Sequence, residues 1–407
     1  MNDLPRNSLA RGRFCSSFKS FGPVFALAAI GLGLCGCAPN SSDRAGAIEI
    51  VDTSQPADFP QPRFAFPRGS VRIGRVIRQP DSYFQTDAGK RIVANIITWQ
   101  NADGGWWKNE AYDNPRPAVV PDNPRSGPPG DDDAVWHKVS TFDNDCTYSE
   151  MKVLAHAYRV TGDKADLDAF NRALEYCFRS QYPNGGWPQR FPLQDNYGAR
   201  LTFNDDAMTH VVEIMKDVSE KSPEFAFCTD DQRARAKIAF ERGVDCILKC
   251  QYVQNGKLTV WAQQHDELTF APAGGRTFEL PGLTANESAD ILDLLESIEH
   301  PDQRVRDSIE AAHVWYENSK IIGKRVGRDK AGRVLVDDPK APPLWARFYD
   351  PVTNRPFVAG RDGIARARLQ DITAERRNGY NWFSNSWGAQ EEAGYKAWKA
   401  RMQSKGL

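Results

Sequence analysis

Gln100-Asn-Ala-Asp-Gly-Gly-Trp106 returns as Gln181-Tyr-Pro-Asn-Gly-Gly-Trp187. A third, degenerate copy is Gln251-Tyr-Val-Gln-Asn-Gly256, with Trp261 just downstream. Each copy stands at the end of a helical pattern. Before the first, Ile92, Val93, Ile96 and Ile97 fall on one face of a helix expected over 86–100. Before the second, a helix over 164–181 carries Leu167, Phe170, Leu174 and Tyr176-Cys177-Phe178. Before the third, a helix over 230–250 has Ala236, Ile238, Ala239, Val244, Ile247 and Leu248 as its expected core. Glycine just past a helix predicts a left-handed closing turn. Spacings of 81 and 70 residues leave room for a helical hairpin plus loops in each repeat. Three hairpins with matching turns predict a mainly α fold. We expect an α/α toroid with its turns gathered at one end, short β elements and long irregular loops.

Two further stretches echo each other. Thr141-Phe-Asp-Asn-Asp-Cys-Thr147 and Thr202-Phe-Asn-Asp-Asp-Ala-Met208 each place a Thr-Phe pair and a cluster of Asp and Asn before a helical pattern. The helices are expected over 148–160 and 205–220. Two readings fit. Asp and Asn are good N-caps, because their oxygens accept from the free N–H groups of a first turn. Capping needs only one oxygen per helix, however, and Asp143, Asn144, Asp145, Asp205 and Asp206 supply many more. Clustered carboxylate and amide oxygens suit a hard cation such as Ca²⁺.

The remaining segments frame this scaffold. The chain has 407 residues, 41% hydrophobic residues and a formal net charge of −1, so no basic surplus points to nucleic acid. Arg6, Arg11, Arg13 and Lys19 precede an apolar run from Pro23 to Leu34 that is too short for a membrane span. The run ends in Leu34-Cys-Gly-Cys37-Ala38, which is similar to a bacterial lipobox. Residues 1–37 are therefore expected to be a lipoprotein-type leader, with a lipid anchor at Cys37 as the only link to a membrane. A plain secretory cut near Gly36 or Ala38 is the alternative, and either one exports the protein to the cell envelope or beyond. Residues 38–80 are expected to be a tether and extended lead-in, and 81–407 the catalytic domain. Cys146, Cys177, Cys228, Cys246 and Cys250 form an odd set with no repeated spacing, which argues against a disulfide scaffold. Residues 112–133 contain six prolines and end in Asp131-Asp-Asp133, a long and solvated loop. Further helices are expected over 287–299, 305–320 and 390–402.

Several polar stretches fall outside the helical pattern. Lys108-Asn109 follows the first Gly-Gly-Trp turn, and the segment after the third ends in His265-Asp266. Arg276-Thr-Phe-Glu-Leu-Pro281 comes next, and then Trp345-Ala-Arg347-Phe-Tyr-Asp-Pro-Val-Thr-Asn-Arg355-Pro-Phe-Val-Ala-Gly-Arg361-Asp-Gly363. Solvated arginines usually sit on helix faces beside Glu partners. Here they are interleaved with rigid and aromatic residues. Guanidinium forks bind carboxylates bidentately, and flat rings carry sugars. Lys108, His265 and Asp266 join Arg347 and Arg361 as expected substrate contacts. Together these features suit an acidic polysaccharide.

From about Trp99 to Trp382 these stretches resemble the pectate lyases of polysaccharide lyase family 10. The resemblance implies an (α/α)₃ toroid and Ca²⁺-dependent β-elimination of polygalacturonate. It implies that Asp143 and Asp205 hold or adjoin the Ca²⁺, with Asn144 beside them and Asp143 also catalytic. It further implies that Arg276 is the Brønsted base, and that Arg347 and Arg361 bind galacturonate carboxylates. One position departs from the family pattern. Asn144-Asp145-Cys146 stands where Asn-Gly is expected, and Asp145 adds an oxygen that leaves the coordination set open.

The implied chemistry is removal of the C5 proton of a uronate, with positive charge at the adjacent carboxylate stabilising the carbanion. Arginine is an unusual base, being protonated below pH ~12 in isolation. The rivals are a toroidal glycoside hydrolase, with two carboxylates ~5–9.5 Å apart, a terpene cyclase, and a non-catalytic pectin-binding lipoprotein. The expected partner is polygalacturonate, and the expected state is a monomer.

Overall fold

The repeated glutamine is a clamp between neighbouring helical repeats. Gln100 Nε2 donates to the carbonyl of Gly104 in its own turn at 2.8 Å and to Ala169 at 2.9 Å. Gln181 does the same to Gly185 and Ala239 at 2.8 and 2.9 Å. Gln251 reaches Thr259 and Ser308 at the same two distances. Each clamp thus ties the end of one helix to a carbonyl of the next repeat. The tryptophan of each copy is buried and bonds back to the helix before it: Trp106 to Ile96, Trp187 to Cys177 and Trp261 to Ile247.

The glycines act differently from the expected helix cap. Helices end at Gln100 and Gln181 in extended conformation, and Gly104 and Gly185 lie beyond them with φ of +99° and +98°. A Cβ at these positions would stand 2.3 Å from the Arg172 carbonyl and 2.2 Å from that of Arg242. The glycines therefore allow each turn to press against the neighbouring helix backbone.

The structure is a computed structural model that describes residues 47–48, 50–51, 71–108, 111–118 and 138–406. These residues lie within one compact unit, 43–407. The expected leader, its Cys37 anchor and Asp131-Asp-Asp133 lie outside the described residues.

The helices are α1 (Ile73–Val76), α2 (Asp81–Gln85), α3 (Asp87–Trp99), α4 (Tyr148–Thr161), α5 (Lys164–Ser180), α6 (Ala207–Ser219), α7 (Asp230–Cys250), α8 (Ala285–Glu296), α9 (Gln303–Asn318), α10 (Ala374–Gly379) and α11 (Ser386–Ser404). Helices α4 and α5, α6 and α7, and α8 and α9 pack as pairs. Helix α4 also touches α6, α6 touches α8, and α11 closes against α8 and α9. The result is the (α/α)₃ toroid. Local chemistry starts several helices in the expected way. Thr86 caps α3, Asp163 caps α5, Asp302 caps α9, and Thr229 with Gln232 forms a capping box on α7.

Helices α4 and α6 each bury a broad apolar face. Met151, Val153, Leu154 and Ala155 of α4 are fully buried, as are Met208, Val212 and Met215 of α6. Helix α7 is one-sided, and Ile238, expected in the core, is 57% exposed. All five described cysteines are buried and free.

Short strands gather between the helices. Leu283–Thr284, Phe348–Tyr349, Pro356–Ala359 and Ala365–Arg366 pair antiparallel in that order, and Ile50–Val51 adds a parallel edge to Ala365–Arg366. Leu201–Thr202 pairs with Gln264–His265, which pairs with Pro272–Ala273. The lead-in before residue 81 thus supplies an edge strand and α1, which packs on α4. Among the described residues no helix is long and apolar enough to cross a membrane.

Candidate active site

Two tight turns of matching form start α4 and α6. Asp143–Asp145 and Asn204–Asp206 are each a single 3₁₀ turn. Asn144, Asp145, Asp205 and Asp206 all have positive φ, between 48° and 59°. Left-handed backbone in consecutive non-glycine residues is strained. The two turns pack against each other. None of these acids caps its helix: neither α4 nor α6 has a side-chain cap hydrogen bond. The carboxylates are directed elsewhere.

Asp143 is 2% exposed. Its Oδ2 is ion-paired with Lys108, while its Oδ1 is buried and accepts no hydrogen bond among the described residues. The Asp205 carboxyl is pushed up to about 7 by burial and by the charge of Asp143, against the pull of Arg347 and Arg276. Asn204 links two of these groups, donating to Asp205 Oδ2 at 2.9 Å and accepting from Arg347 at 3.3 Å. A buried oxygen with no donor beside a like-charged neighbour is a place where a cation relieves both costs. The donor set fits Ca²⁺.

A third helix start contributes Glu287, which is 1% exposed and sits in the first turn of α8. It accepts from Thr284, from Arg347 and from Gln263 Nε2 at 2.8 Å. Arg347 is 7% exposed, also reaches Asn204 Oδ1 at 3.3 Å, and lies 4.6 Å over the Tyr380 ring.

The other arginines surround Phe278. Arg376, Arg276 and Arg361 lie 4.3, 4.8 and 5.5 Å from the ring centre. Glu279 holds Arg276 through Nε at 3.0 Å and Nη2 at 2.6 Å. Burial opposes the Glu279 charge, but Arg276 brings its carboxyl down to about 2. Glu375 is shared, taking both Nε and Nη2 of Arg361 at 3.2 Å and Nε of Arg376 at 2.6 Å.

A family model described as pectic acid lyase matches residues 100–390. The chain belongs to the pectic acid lyase family. A family 10 polysaccharide lyase from Cellvibrio cellulosa is similar in structure, with a TM-score of 0.67 and 28% identity. That match covers 83% of this chain and 99% of that one. An aspartate-to-alanine mutant of the Cellvibrio lyase in complex with trigalacturonic acid matches with a TM-score of 0.66 and 28% identity, over 81% of this chain and 99% of that one. No curated protein sequence matches.

In this lyase Lys108 pairs with Asp143, Arg347 reaches Asp205 through Asn204, and Arg276 and Arg361 share the Phe278 ring. Asn144 is exposed at the tip of its turn. Asp145 and Asp206 form a separate group with His210, all ligand atoms lying within 4.8 Å of one another. Burial first, and then Asp290, push Asp206 up to about 8.

One expected substrate contact, His265, is corrected. His265 is fully buried: its Nε2 accepts from the Ala262 N–H at 3.0 Å, so its Nδ1 donates to the Phe270 carbonyl at 2.8 Å. Burial depresses its pKa to about 4. Both nitrogens serve the fold, and neither is left for a substrate. Asp266 closes the next turn, accepting from the backbone of Leu268 and Thr269 and from the Thr269 hydroxyl.

The sequence reading missed Glu279, Glu287, Glu375, Arg376 and Tyr380. For Glu287 a signal existed: Thr284 precedes α8 much as Thr141 precedes Asp143 and Thr202 precedes Asp205.

Proposed function

We propose that this lyase cleaves polygalacturonate by β-elimination, leaving a 4,5-unsaturated uronate. The observation that supports this most is that the charges of Asp143, Arg347 and Arg276 all act on Asp205, with Arg361 sharing the Phe278 ring with Arg276. Asp143 and Asp205 would hold Ca²⁺, with Asn144 adjoining. When bound, Ca²⁺ supplies positive charge at the uronate carboxylate.

Charge balance fits a polyanionic substrate. The cations of the site are Lys108, Arg276, Arg347, Arg361 and Arg376, and its carboxylates are Asp143, Asp205, Glu279, Glu287 and Glu375. These formal charges cancel. A bound divalent cation tips the site positive, in favour of uronate carboxylates.

Arg347 and Arg361 orient those carboxylates through guanidinium groups already fixed by Glu287 and Glu375. Such pre-set donors lose little freedom on binding. Arg276 takes the C5 proton. The C5–H electrons become the C4=C5 double bond, and the C4–O bond breaks toward the leaving sugar, whose oxygen is then protonated. Because Glu279 grips Arg276, that ion pair must loosen for the guanidine to be neutral before it acts.

Incubation with polygalacturonate tests the reading. An unsaturated product absorbing in the ultraviolet is expected, and saturated ends would select a hydrolase. Binding without cleavage would select a pectin-binding lipoprotein. Export with a lipid on Cys37 belongs to the same proposal. Fatty-acid labelling that is lost in Cys37→Ser would support it, and labelling that persists would refute it.

A further inference from the structure

Glu279 is the carboxylate on which Arg276 rests, and it is 3% exposed. Besides the guanidinium fork it accepts the Arg276 backbone N–H at 2.9 Å. A fourth donor arrives from a distant part of the chain. The Tyr380 hydroxyl, just past α10, donates to Glu279 Oε1 at 2.9 Å. The same Oε1 accepts Arg276 Nη2 at 2.6 Å, so hydroxyl and guanidinium share one oxygen.

The Tyr380 ring has separate partners. Arg347 lies over it at 4.6 Å, and Phe278 meets it edge-on at 5.3 Å. Gln263 Nε2 donates to the Tyr380 oxygen at 3.1 Å and to Glu287, the partner of Arg347, at 2.8 Å. One tyrosine therefore touches Arg276 through Glu279 and Arg347 through its ring.

A hydroxyl that donates to a carboxylate draws charge from it. With the hydroxyl present, Glu279 binds the guanidinium less tightly. Without it, Arg276 faces the whole carboxylate charge, and its proton is harder to remove. The charged groups facing Tyr380 are Arg347, Glu279, Arg276 and Glu287, and Asp205 also lies within the influence of Arg347 and Arg276. Arg333 reaches only the Tyr380 backbone carbonyl.

We propose that Tyr380 is a positioning residue for Arg276: its hydroxyl, donating to Glu279, fixes the guanidinium orientation and weakens the ion pair that keeps Arg276 protonated. This rests on the reading of Arg276 as base.

Tyr380→Phe keeps the ring and removes the hydroxyl. With polygalacturonate and Ca²⁺, kcat at neutral pH should fall roughly tenfold, within the range of a perturbed general base. KM should change less than about twofold, since the ring still carries Arg347. The alkaline rise of kcat should move up by about one pH unit, so that the deficit shrinks as pH rises. Glu279→Gln retains an acceptor without charge, and it should move the same rise to lower pH. Opposite shifts in the two variants are the expected signature. A pH-independent loss, shifts of the same sign, or wild-type kinetics in Tyr380→Phe would overturn the proposal. If Tyr380→Phe does not fold, the sign of the Glu279→Gln shift decides alone. Arg276→Ala separates the underlying reading: activity within tenfold of wild type would remove Arg276 as base, whatever the Tyr380 result.

Discussion

The guanidinium of Arg376 lies 4.3 Å from the centre of the Phe278 ring, and the ring carries Arg361 at 5.5 Å and Arg276 at 4.8 Å as well. Each contact is worth roughly 0.5–2 kcal/mol. Phe278→Leu removes the ring face under all three guanidiniums, so stability should fall by about 1.5 kcal/mol or more. Because the platform under three guanidiniums is lost, kcat/KM for polygalacturonate should drop at least tenfold. Steady-state kinetics alongside denaturant unfolding check this. Wild-type kinetics in a folded Phe278→Leu would show that the ring is filler only.

Arg276→Ala should lower kcat by about 10²–10⁴ with KM little changed, because a base acts mainly in the transition state. Arg276→Lys should rescue poorly. Lysine cannot reproduce the fork on Glu279, so its single nitrogen is held differently. A large rise in KM at constant kcat would instead make Arg276 a binding residue.

Asp205→Ala should act first on calcium. The concentration of Ca²⁺ for half-maximal activity is expected to rise at least tenfold, a loss of about 1.4 kcal/mol in binding. Calorimetric titration of Ca²⁺ into the variant gives the same answer without turnover. Unchanged Ca²⁺ affinity would remove Asp205 from the metal site.

Much of the fold could be read in the sequence because it is encoded locally. The Gln-x-x-x-Gly-Gly-Trp copies mark the clamps at Gln100 and Gln181, and apolar spacing places α4 to α9 within a few residues. The site was legible where acids and arginines stand in loops. It was not legible where partners come from a distance. Glu279 looked like part of a short motif, yet its role depends on Tyr380, about a hundred positions later. Arg376 sits in a six-residue helix with no periodicity to mark it. His265 looked like a substrate contact because the pairing of Gln264–His265 with Leu201–Thr202, which buries it, leaves no trace in spacing. The caps at Asp143 and Asp205 were plausible by residue type, but Asp143 pairs with Lys108 and Asp205 accepts from Asn204 instead.

Burial under α4 gives a pH prediction. Glu150 is 2% exposed and accepts from the Tyr112 hydroxyl at 2.7 Å. Burial raises its carboxyl from 4.5 to about 7. The folded state then binds this proton more tightly than the unfolded chain. The associated stability is fully present below pH 4.5 and is lost as pH rises through about 7. The loss is on the order of 3 kcal/mol. Glu150→Gln should flatten that slope between pH 5 and 8 and be the more stable protein at its alkaline end. Parallel unfolding curves for both proteins across the range would contradict the assignment.

The most direct test follows the double bond itself. The purified protein is incubated with polygalacturonate, with Ca²⁺ and with excess chelator, and ultraviolet absorbance is recorded over time. Absorbance from a 4,5-unsaturated product should rise with Ca²⁺, stop in chelator and be nearly absent in Arg276→Ala. New reducing ends without ultraviolet absorbance, or equal rates in chelator, would contradict calcium-dependent β-elimination.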